Sequence, residues 1–354
     1  VFNHMGRNSA RFKDAEANPE SEYRDWFYFG DQYQSGARCW WLAENLPEIN
    51  LENPKVRKHV YAGKNSAVRG YLRDGVDGWR LDVAMDIGMK WLTELTAAAH
   101  REKPGSLVVG EIANYPKEWF PAVDGIMHFT MKNILLGLMN GDIDAQHARR
   151  MIERMYRDSD FEHMLMSWIY LDNHDTPRLA HMVNDPQRRR LAQLLQFTLP
   201  GSPNLYYGTE LGMTGGDDPE MRAPMRWDWV NDQNVSLTWT KQLIQLRRNH
   251  RALRVGDFRS VETNALFGFE RFTDRVEDTV IVLTNPTNVE VTETVLIANS
   301  KLMNTFECVD VIDPNFRVPI YTSMVTVTLR PGAFRVLVPD VTSRGGYNSY
   351  KRVK

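Results

Sequence analysis

The sequence has little cysteine, little net charge and no long apolar run, and each shortage excludes a class of protein. Cys39 and Cys308 are the only two cysteines in 354 residues, too few for a disulfide scaffold and outside any metal-ligand spacing. A formal net charge of −2 provides no field that recruits nucleic acid or an anionic membrane. No apolar run approaches the roughly 18–20 residues that span a bilayer. We therefore expect reduced thiols, a cytoplasmic location, and no nucleic-acid or membrane partner.

What the sequence does have is a repeated alternation of strand-like and helix-like segments from residue 54 to residue 255. The apolar, strand-like runs lie at 78–83, 107–112, 124–129, 167–171 and 203–207. The helical patterns lie at 54–73, 87–101, 144–157, 186–198 and 235–251. Alternation of this kind, with apolar strands, predicts an α/β protein whose parallel sheet is buried by helices.

The flanking residues follow other patterns. Residues 5–53 lack long periodicity and are rich in aromatic side chains, which predicts a small irregular domain. Short alternating runs separated by turn residues fill 256–340 and predict an antiparallel β-sandwich. The basic stretch at 341–354 contains glycine and serine and predicts a loose tail.

Acidic residues end three of the apolar runs. Asp82 follows Gly-Trp-Arg-Leu, Glu111 follows Leu-Val-Val-Gly, and Asp175 closes Leu-Asp-Asn-His-Asp. In a barrel of strands and helices, the carboxyl ends of the strands form the active-site face. Three carboxylates on that face suit the cleavage of a glycosidic bond. Taken singly, each has a structural alternative: an Arg–Asp pair, a solvent-facing glutamate, or the start of a turn.

Two of these carboxylates differ in their expected surroundings. Arg80 lies two residues before Asp82 and shares its strand face, which favours an ionised carboxylate that can act as a nucleophile. Glu111 ends an otherwise apolar run, and such surroundings favour the protonated form that a general acid requires. We therefore expect Asp82 to attack the anomeric carbon while Glu111 protonates the leaving oxygen and later acts as base.

Asp175, His174 and His4 complete the predicted substrate site. Asp175 neither attacks nor donates a proton in this scheme, so it is expected to bind sugar hydroxyls and stabilise the oxocarbenium-like transition state. His174 and His4 are expected to hydrogen-bond the sugar at the cleaved bond, and Arg80 to support Asp82. No metal-ligand set is predicted from the residue pattern.

These motifs resemble those of the α-amylase family of glycoside hydrolases. Four segments, in the right order, are similar to the family's signatures: Val-Phe-Asn-His at 1–4, Gly-Trp-Arg-Leu-Asp at 78–82, Gly-Glu at 110–111 and Asn-His-Asp at 173–175. Leu-Pro-Glu-Ile-Asn at 46–50 and the run from Tyr206 to Pro219 are similar to segments of the neopullulanase and cyclomaltodextrinase branch. The resemblance extends from residue 1 to about residue 338.

The resemblance implies a (β/α)8 (TIM) barrel with a small domain inserted after the third strand and a C-terminal antiparallel β-sandwich. On this alignment residues 1–4 end strand 3, residues 5–53 are the inserted domain, and residues 54–255 carry strands 4–8. The first strand–helix units would then lie outside this chain. The implied reaction is the retaining cleavage or transfer of α-1,4-glucosidic bonds in maltooligosaccharides, cyclodextrins or pullulan. The implied partner is an α-glucan oligosaccharide, and homo-oligomer formation stays open.

No organic cofactor is implied. Many members of the family carry structural calcium, and Asn3 matches a position that binds it in some of them, but the other ligands cannot be assigned. Asp217 and Asp218 are interpreted as a solvated loop rather than a metal site.

The sequence departs from the family pattern at two places near the predicted site. Met85-Asp86 replaces the Lys-His that follows the nucleophile in many amylases, and Ala113 stands where the branch usually has Trp. We expect both changes to alter how the leaving-group sugars are handled. The aromatic residues at 26–29 and 40–41 are expected to pack in a core, with stacking on glucose rings as the alternative.

Two other functions compete with hydrolysis. A glucosyl- or maltosyltransferase would use the same covalent intermediate and pass the sugar to another sugar instead of water. A non-catalytic barrel relative would have lost carboxylates, whereas all three are present.

Overall fold

A computed structural model describes residues 3–342, 348 and 350 of the chain. The chain forms two compact units, Val1–Met127 and His128–Lys354. None of the helices in the described residues is both long enough and apolar enough to cross a membrane.

The first unit contains five helices and three strands among its described residues. In chain order these are α1 (Ala10–Ala17), α2 (Pro54–Arg57), α3 (Ala67–Arg73), β1 (Gly78–Leu81), α4 (Ala84–Ile87), α5 (Met89–Glu102), β2 (Leu107–Gly110) and β3 (Gly125–Ile126). A π-helical turn, Lys58–Ala62, continues α2. The predicted helix at 54–73 is therefore split, because the chain leaves the helix at Gly63 and begins again after Ser66, whose side chain caps α3.

The three strands form a parallel sheet in the order β1-β2-β3. The register pairs Gly78 with Leu107 and Leu81 with Gly110, so that both strands end at the same level. At the other end of the pair, Gly78 approaches β2 so closely that an added Cβ would lie 2.2 Å from the Leu107 carbonyl oxygen. The parallel arrangement of these strands confirms the prediction from the alternating pattern.

Residues 5–53 are mostly irregular, as predicted, but they include one helix that the sequence analysis missed. The Ser9 hydroxyl accepts a hydrogen bond from the Phe12 N–H and begins α1, which buries Phe12 and Ala15. Isolated bridges such as Phe27 to Ile49 hold the rest of the segment.

The second unit begins with a region of helices and short parallel strands. Its helices are α6 (Phe129–Asn140), α7 (Ala145–Asp158), α8 (Phe161–Met166), α9 (Leu179–Met182), α10 (Pro186–Thr198), α11 (Val235–Asn249) and α12 (Arg251–Val255). The strands β4 (Trp168–Ile169) and β5 (Ser202–Pro203) pair in parallel. Both strands are shorter than predicted, and α6 was not predicted at all. Its run of buried Met, Ile and Leu residues has too weak a polar face to show a helical period.

Antiparallel strands make up the rest of the second unit. They are β6 (Asp257–Val261), β7 (Phe267–Phe272), β8 (Val280–Thr284), β9 (Val291–Leu296), β10 (Glu307–Asp310), β11 (Arg317–Pro319), β12 (Met324–Leu329) and β13 (Phe334–Pro339). Six of them form a sheet in the order β11-β10-β13-β8-β7-β6, and β12 pairs with β9. Residues of both sheets, among them Leu283, Val295, Val327 and Leu337, share one buried cluster. This is the layered antiparallel arrangement that the alternating pattern predicted.

Burial and hydrogen bonding separate the two faces of the β9–β12 pair. Val325, Val327 and Leu329 are buried, while Thr326 and Thr328 face outward and share hydrogen bonds with threonines of β9. Most of the predicted tail lies outside the described residues. Within it Tyr350 is buried, and its hydroxyl accepts a hydrogen bond from the Met303 N–H, so this residue is not part of a loose segment.

The buried guanidinium of Arg271 ties the helices of the second unit to its sheet. Arg271 lies on β7 and is fully buried. Its side chain donates hydrogen bonds to the carbonyls of Thr198 at the end of α10, Leu253 in α12, and Gly256 and Asp257 at the entry to β6. Burial lowers the pKa of this guanidinium. One side chain thus donates to four backbone carbonyls on three different elements.

We predict that Arg271→Met lowers the free energy of unfolding by about 2–4 kcal/mol, because buried carbonyls lose their only side-chain donor. The measurement is chemical denaturation of the variant and the parent chain. Arg275→Met, which removes an exposed arginine paired with Glu277, is the matched control and should leave the midpoint unchanged. Equal effects of the two substitutions would show that Arg271 does not have this role.

Candidate active site

Asp82 and Glu111 follow the adjacent strands β1 and β2, and one arginine contacts both. Nη1 of Arg80 donates to Asp82 Oδ1 over 2.7 Å. Nη2 of the same guanidinium lies 3.1 Å from Glu111 Oε2, as an ion pair rather than an aligned hydrogen bond. The predicted contact between Arg80 and Asp82 is confirmed. The second contact, to Glu111, was not predicted, because it depends on the register of β1 and β2.

Backbone hydrogen bonds join the ends of these strands. The Glu111 N–H donates to the Leu81 carbonyl over 2.8 Å, and the Glu111 carbonyl accepts from the Ala84 N–H over 3.0 Å. These bonds extend the β1–β2 ladder by one residue past its last pair. The backbone of Glu111 is therefore fixed relative to the turn that follows Asp82.

Val83 lies in that turn in a strained conformation. Its φ of 44° and ψ of 47° are left-handed, which costs a β-branched residue on the order of 1–3 kcal/mol. The Val83 N–H donates to Glu111 Oε2 over 2.8 Å. Glu111 thus holds the strained residue that follows Asp82, and the two carboxylates are connected through both the backbone and Arg80.

The surroundings of Glu111 differ from those expected. The prediction was an apolar pocket, but the carboxylate contacts a guanidinium and a backbone N–H. The reason is that the apolar residues of β2 belong to the strand interior, whereas Glu111 lies beyond its end, next to Arg80. In this arrangement the Glu111 carboxylate accepts a hydrogen bond from the Val83 N–H and forms an ion pair with Arg80.

His4 lies beside an aromatic residue of the irregular segment. Its ring stacks on Trp40 with 5.5 Å between the centroids, and Trp40 Nε1 donates to Asp86 Oδ2 over 2.8 Å. Burial lowers the pKa of His4, and the nearby charges of Asp82 and Asp86 act in the opposite direction. The sequence analysis did not identify the contact between Trp40 and Asp86, for which the sequence contains no signal.

In the second unit, His174 and Asp175 lie next to each other and are about half exposed. His174 Nε2 is 3.0 Å from Asp175 Oδ2. Arg222 donates to Asp175 Oδ1 over 3.1 Å and to the His174 carbonyl over 2.9 Å, and it also pairs with Asp218. Arg222 was missed by the sequence analysis. That Asp175 shares a pocket with Asp82 and Glu111 stays a prediction.

Asp172 precedes this group and is buried. Its carboxylate accepts hydrogen bonds from the Leu179 N–H and the Thr209 hydroxyl. Burial raises the pKa of Asp172, and the hydrogen bonds from Leu179 and Thr209 oppose that shift. Burial also lowers the pKa of Lys132, and the charge of Asp172 acts against that shift. Asp172 therefore connects the segment that carries Asp175 to α9 and to the loop at Thr209.

The resemblance relates Asn3 to a calcium position, and a structural calcium ion stays a prediction. Asn3 Oδ1 is buried and accepts no hydrogen bond within the described part of the chain, as a metal ligand would. Calcium takes six to eight oxygen ligands, and no group of three or more His, Cys, Asp or Glu side chains in residues 3–342, 348 and 350 could hold a metal. Asp217 and Asp218 are exposed, and Asp218 pairs with Arg222.

In the described residues, carboxylates follow short parallel strands, and antiparallel strands come later in the chain; this is the order of elements in α/β-barrel proteins with a C-terminal β-domain. The alpha-amylase family model, described as alpha amylase, catalytic domain, matches residues 1–273. The chain belongs to the alpha-amylase family. The fold class that follows is a (β/α)8 barrel with a C-terminal β-sheet domain.

Related proteins share the sequence pattern. A cyclomaltodextrinase of Bacillus sp is 31% identical over 304 residues, which cover 80% of this chain and 53% of that protein. Neopullulanase 2 of Thermoactinomyces vulgaris is 29% identical over 295 residues, covering 78% of this chain and 49% of that protein. The chain spans about half the length of these curated relatives.

Solved structures share the fold. A cyclomaltodextrinase superposes with a TM-score of 0.83 at 26% identity, covering 96% of this chain and 59% of that chain. The cyclic alpha-maltosyl-(1→6)-maltose hydrolase of Arthrobacter globiformis superposes with a TM-score of 0.80 at 26% identity, covering 95% of this chain and 73% of that chain.

We predict a pH-dependent effect of Asp172→Asn on stability. Because the folded pKa of Asp172 is raised, the folded chain releases this proton at higher pH than the unfolded chain, and the parent loses stability as pH rises through that range. The asparagine variant has no such loss. The free energy of unfolding of the parent minus that of the variant should therefore fall as pH rises above the usual pKa of an aspartate, in denaturation experiments. A difference that is constant or rises with pH would contradict the assignment.

Proposed function

We propose that this chain carries the catalytic machinery of a retaining hydrolase that cleaves α-1,4-glucosidic bonds in maltooligosaccharides, cyclodextrins or pullulan. The observation that carries the proposal is the pair Asp82 and Glu111 on one guanidinium, at the ends of adjacent parallel strands. Relatives named cyclomaltodextrinase and neopullulanase support the substrate class.

The closeness of the two carboxylates favours retention. Retaining enzymes hold their carboxyl groups about 5–5.5 Å apart, whereas inverting enzymes leave roughly 6.5–9.5 Å for a water molecule. Two carboxylates on the terminal nitrogens of one arginine fit the shorter separation. Asp82 would then attack the anomeric carbon, and the leaving oxygen would take its proton from Glu111.

Arg80 suits the second half of the reaction as well. Once Asp82 is esterified to the sugar it has lost its negative charge, and Glu111 has given up its proton. Of the two acids, only Glu111 is then negatively charged, and the guanidinium stabilises that charge. Glu111 is then the carboxylate that deprotonates the incoming water. The contacts of Glu111 with Arg80 and the Val83 N–H support this base role.

Asp175 is proposed as the third carboxylate of the reaction, with His174 and His4 as sugar-binding residues. Arg222 and His174 orient Asp175 within its own unit, and its half-exposed carboxylate is free to accept hydrogen bonds from sugar hydroxyls. The proposed division of the fold places β1–β5 as strands 4–8 of the barrel and residues 5–53 as the inserted domain. A cytoplasmic location is proposed too, and a relative named intracellular maltogenic amylase, from Bacillus subtilis, supports it.

We predict that Asp82→Asn abolishes release of sugars from maltohexaose, β-cyclodextrin and pullulan, because the amide cannot form the glycosyl ester. Product chromatography provides the measurement. The matched control is Asp77→Asn, which removes an exposed carboxylate just before β1 and should leave the rate unchanged. Undiminished cleavage by Asp82→Asn would refute the assignment. Longer sugars formed from concentrated maltotriose would favour the transferase alternative.

A separate prediction tests the proton donor. Glu111→Gln should lower kcat/KM for maltotriose by about 10²–10⁴-fold, because the leaving alkoxide no longer receives a proton. The kcat/KM for α-maltosyl fluoride should fall much less, since fluoride leaves without protonation and this ratio excludes the later hydrolysis step in which Glu111 acts as base. Glu118→Gln, an exposed glutamate on the same segment, is the control. Equal losses on both substrates would contradict a role for Glu111 as general acid.

A further inference from the structure

Trp41 is exposed although it lies in an aromatic segment expected to pack in a core. The Trp41 side chain is 82% exposed, and the backbone of both Trp41 (φ 46°) and Leu42 (φ 63°) is left-handed. Residues other than glycine rarely adopt this backbone conformation unless the surrounding structure holds it. For Trp41 the expectation of core packing is therefore wrong, and the alternative, a ring that stacks on sugar, has to be considered.

The residue before Trp41 holds this loop in place. Trp40 stacks on His4 and donates its indole N–H to Asp86. Asp86 lies in α4, four residues after the proposed nucleophile. The strained backbone at Trp41 is thus anchored on its N-terminal side by two contacts of Trp40, one with His4 and one with Asp86 of α4.

Trp41 is connected through Trp40 to the helix that follows the proposed nucleophile. Its ring centroid is 6.3 Å from that of Trp40. The Trp40 indole donates to Asp86 in α4, and Asp82 lies four residues before Asp86. Two neighbouring indole rings therefore lead from α4 to an exposed indole face.

We propose that Trp41 is a stacking platform for a glucosyl ring of the bound α-glucan, away from the ring that Asp82 attacks. The inference rests on the proposed function and adds a specificity-determining residue to it. A pyranose ring has apolar faces of C–H groups and a rim of hydroxyls, so it fits an indole face with acceptors nearby. Oδ1 of Asp86 has no hydrogen-bond partner in the described residues and can accept a hydroxyl.

The size of the exposed surface favours a sugar over a protein. Stable protein interfaces bury roughly 800 Å² on each partner, whereas the exposed apolar surface at this loop consists of Trp41 and Leu42 alone. A single ring on an anchored loop matches one sugar unit.

Calorimetry provides a test that does not need turnover. In the Asp82→Asn chain, Trp41→Ala should weaken the binding of maltotriose about tenfold, as the loss of a stacking aromatic does. Trp41→Phe should restore most of the affinity, because it keeps an aromatic face. Leu42→Ala is the control, with the same exposure and backbone conformation but no ring, and should change the affinity less than twofold. Equal effects of Trp41→Ala and Leu42→Ala, or none for either, would overturn the proposal.

Kinetics of the otherwise unmodified chain separates this proposal from the proposed function. In the parent chain kcat/KM should rise from maltose to maltotetraose as each further ring is bound. In Trp41→Ala this rise should be about tenfold smaller than in the parent. An unchanged rise in Trp41→Ala would overturn the platform while leaving the hydrolase intact. A parent chain that binds maltotriose through Trp41 without cleaving it would overturn the hydrolase and support the platform.

Discussion

The guanidinium of Arg80 is the contact on which the arrangement of the first unit's carboxylates depends. Without it, the two carboxyl groups at the ends of neighbouring strands would share no cation, and Asp82 would lose the guanidinium as a hydrogen-bond donor. Arg80 can reach both only because β1 and β2 are parallel and end at the same level. The strain at Val83 depends on the same pair, since Glu111 accepts its N–H. Charge, strand register and backbone conformation are therefore coupled within a few residues.

The second unit handles its acidic residues in two different ways. Asp175 stays half exposed and is paired with Arg222 and His174, which leaves it accessible to a ligand. Asp172, three residues earlier, is buried and relies on hydrogen bonds from a backbone N–H and a hydroxyl. Asp172 fixes the segment, and Asp175 is proposed to bind substrate. Two carboxylates three residues apart therefore have different roles, one structural and one proposed for binding.

Much of the fold could be predicted from the sequence, because alternating apolar runs report burial directly. The parallel pair β1 and β2, helix α10 and most strands of the sandwich lie where the patterns indicated. Helix α6 was not predicted because it is apolar on most of its surface. Helix α1 was not predicted because its only signal is a capping serine in a segment dominated by aromatics. Short strands such as β4 were predicted too long, since apolar residues continue beyond the last ladder hydrogen bond.

The candidate site was predictable to the extent that it depends on local spacing. The contact of Arg80 with Asp82 follows from the two-residue period of a strand. The contacts of Arg80 with Glu111, of Arg222 with Asp175 and of Trp40 with Asp86 join residues 31 or more positions apart, and no sequence period reports them. The exposure of Trp41 was missed for the opposite reason, because a tryptophan in an aromatic run is usually buried.

Gly78 affects the geometry of the carboxylates although it lies at the opposite end of the β1–β2 pair. Any side chain there would collide with the Leu107 carbonyl and push the two strands apart at their entrance. The displacement would reach Arg80 two residues later and alter its hold on both acids. Position 78 therefore has a single admissible amino acid, although it never touches a reacting group. Even a single methyl group at this position would force the backbones of β1 and β2 to shift.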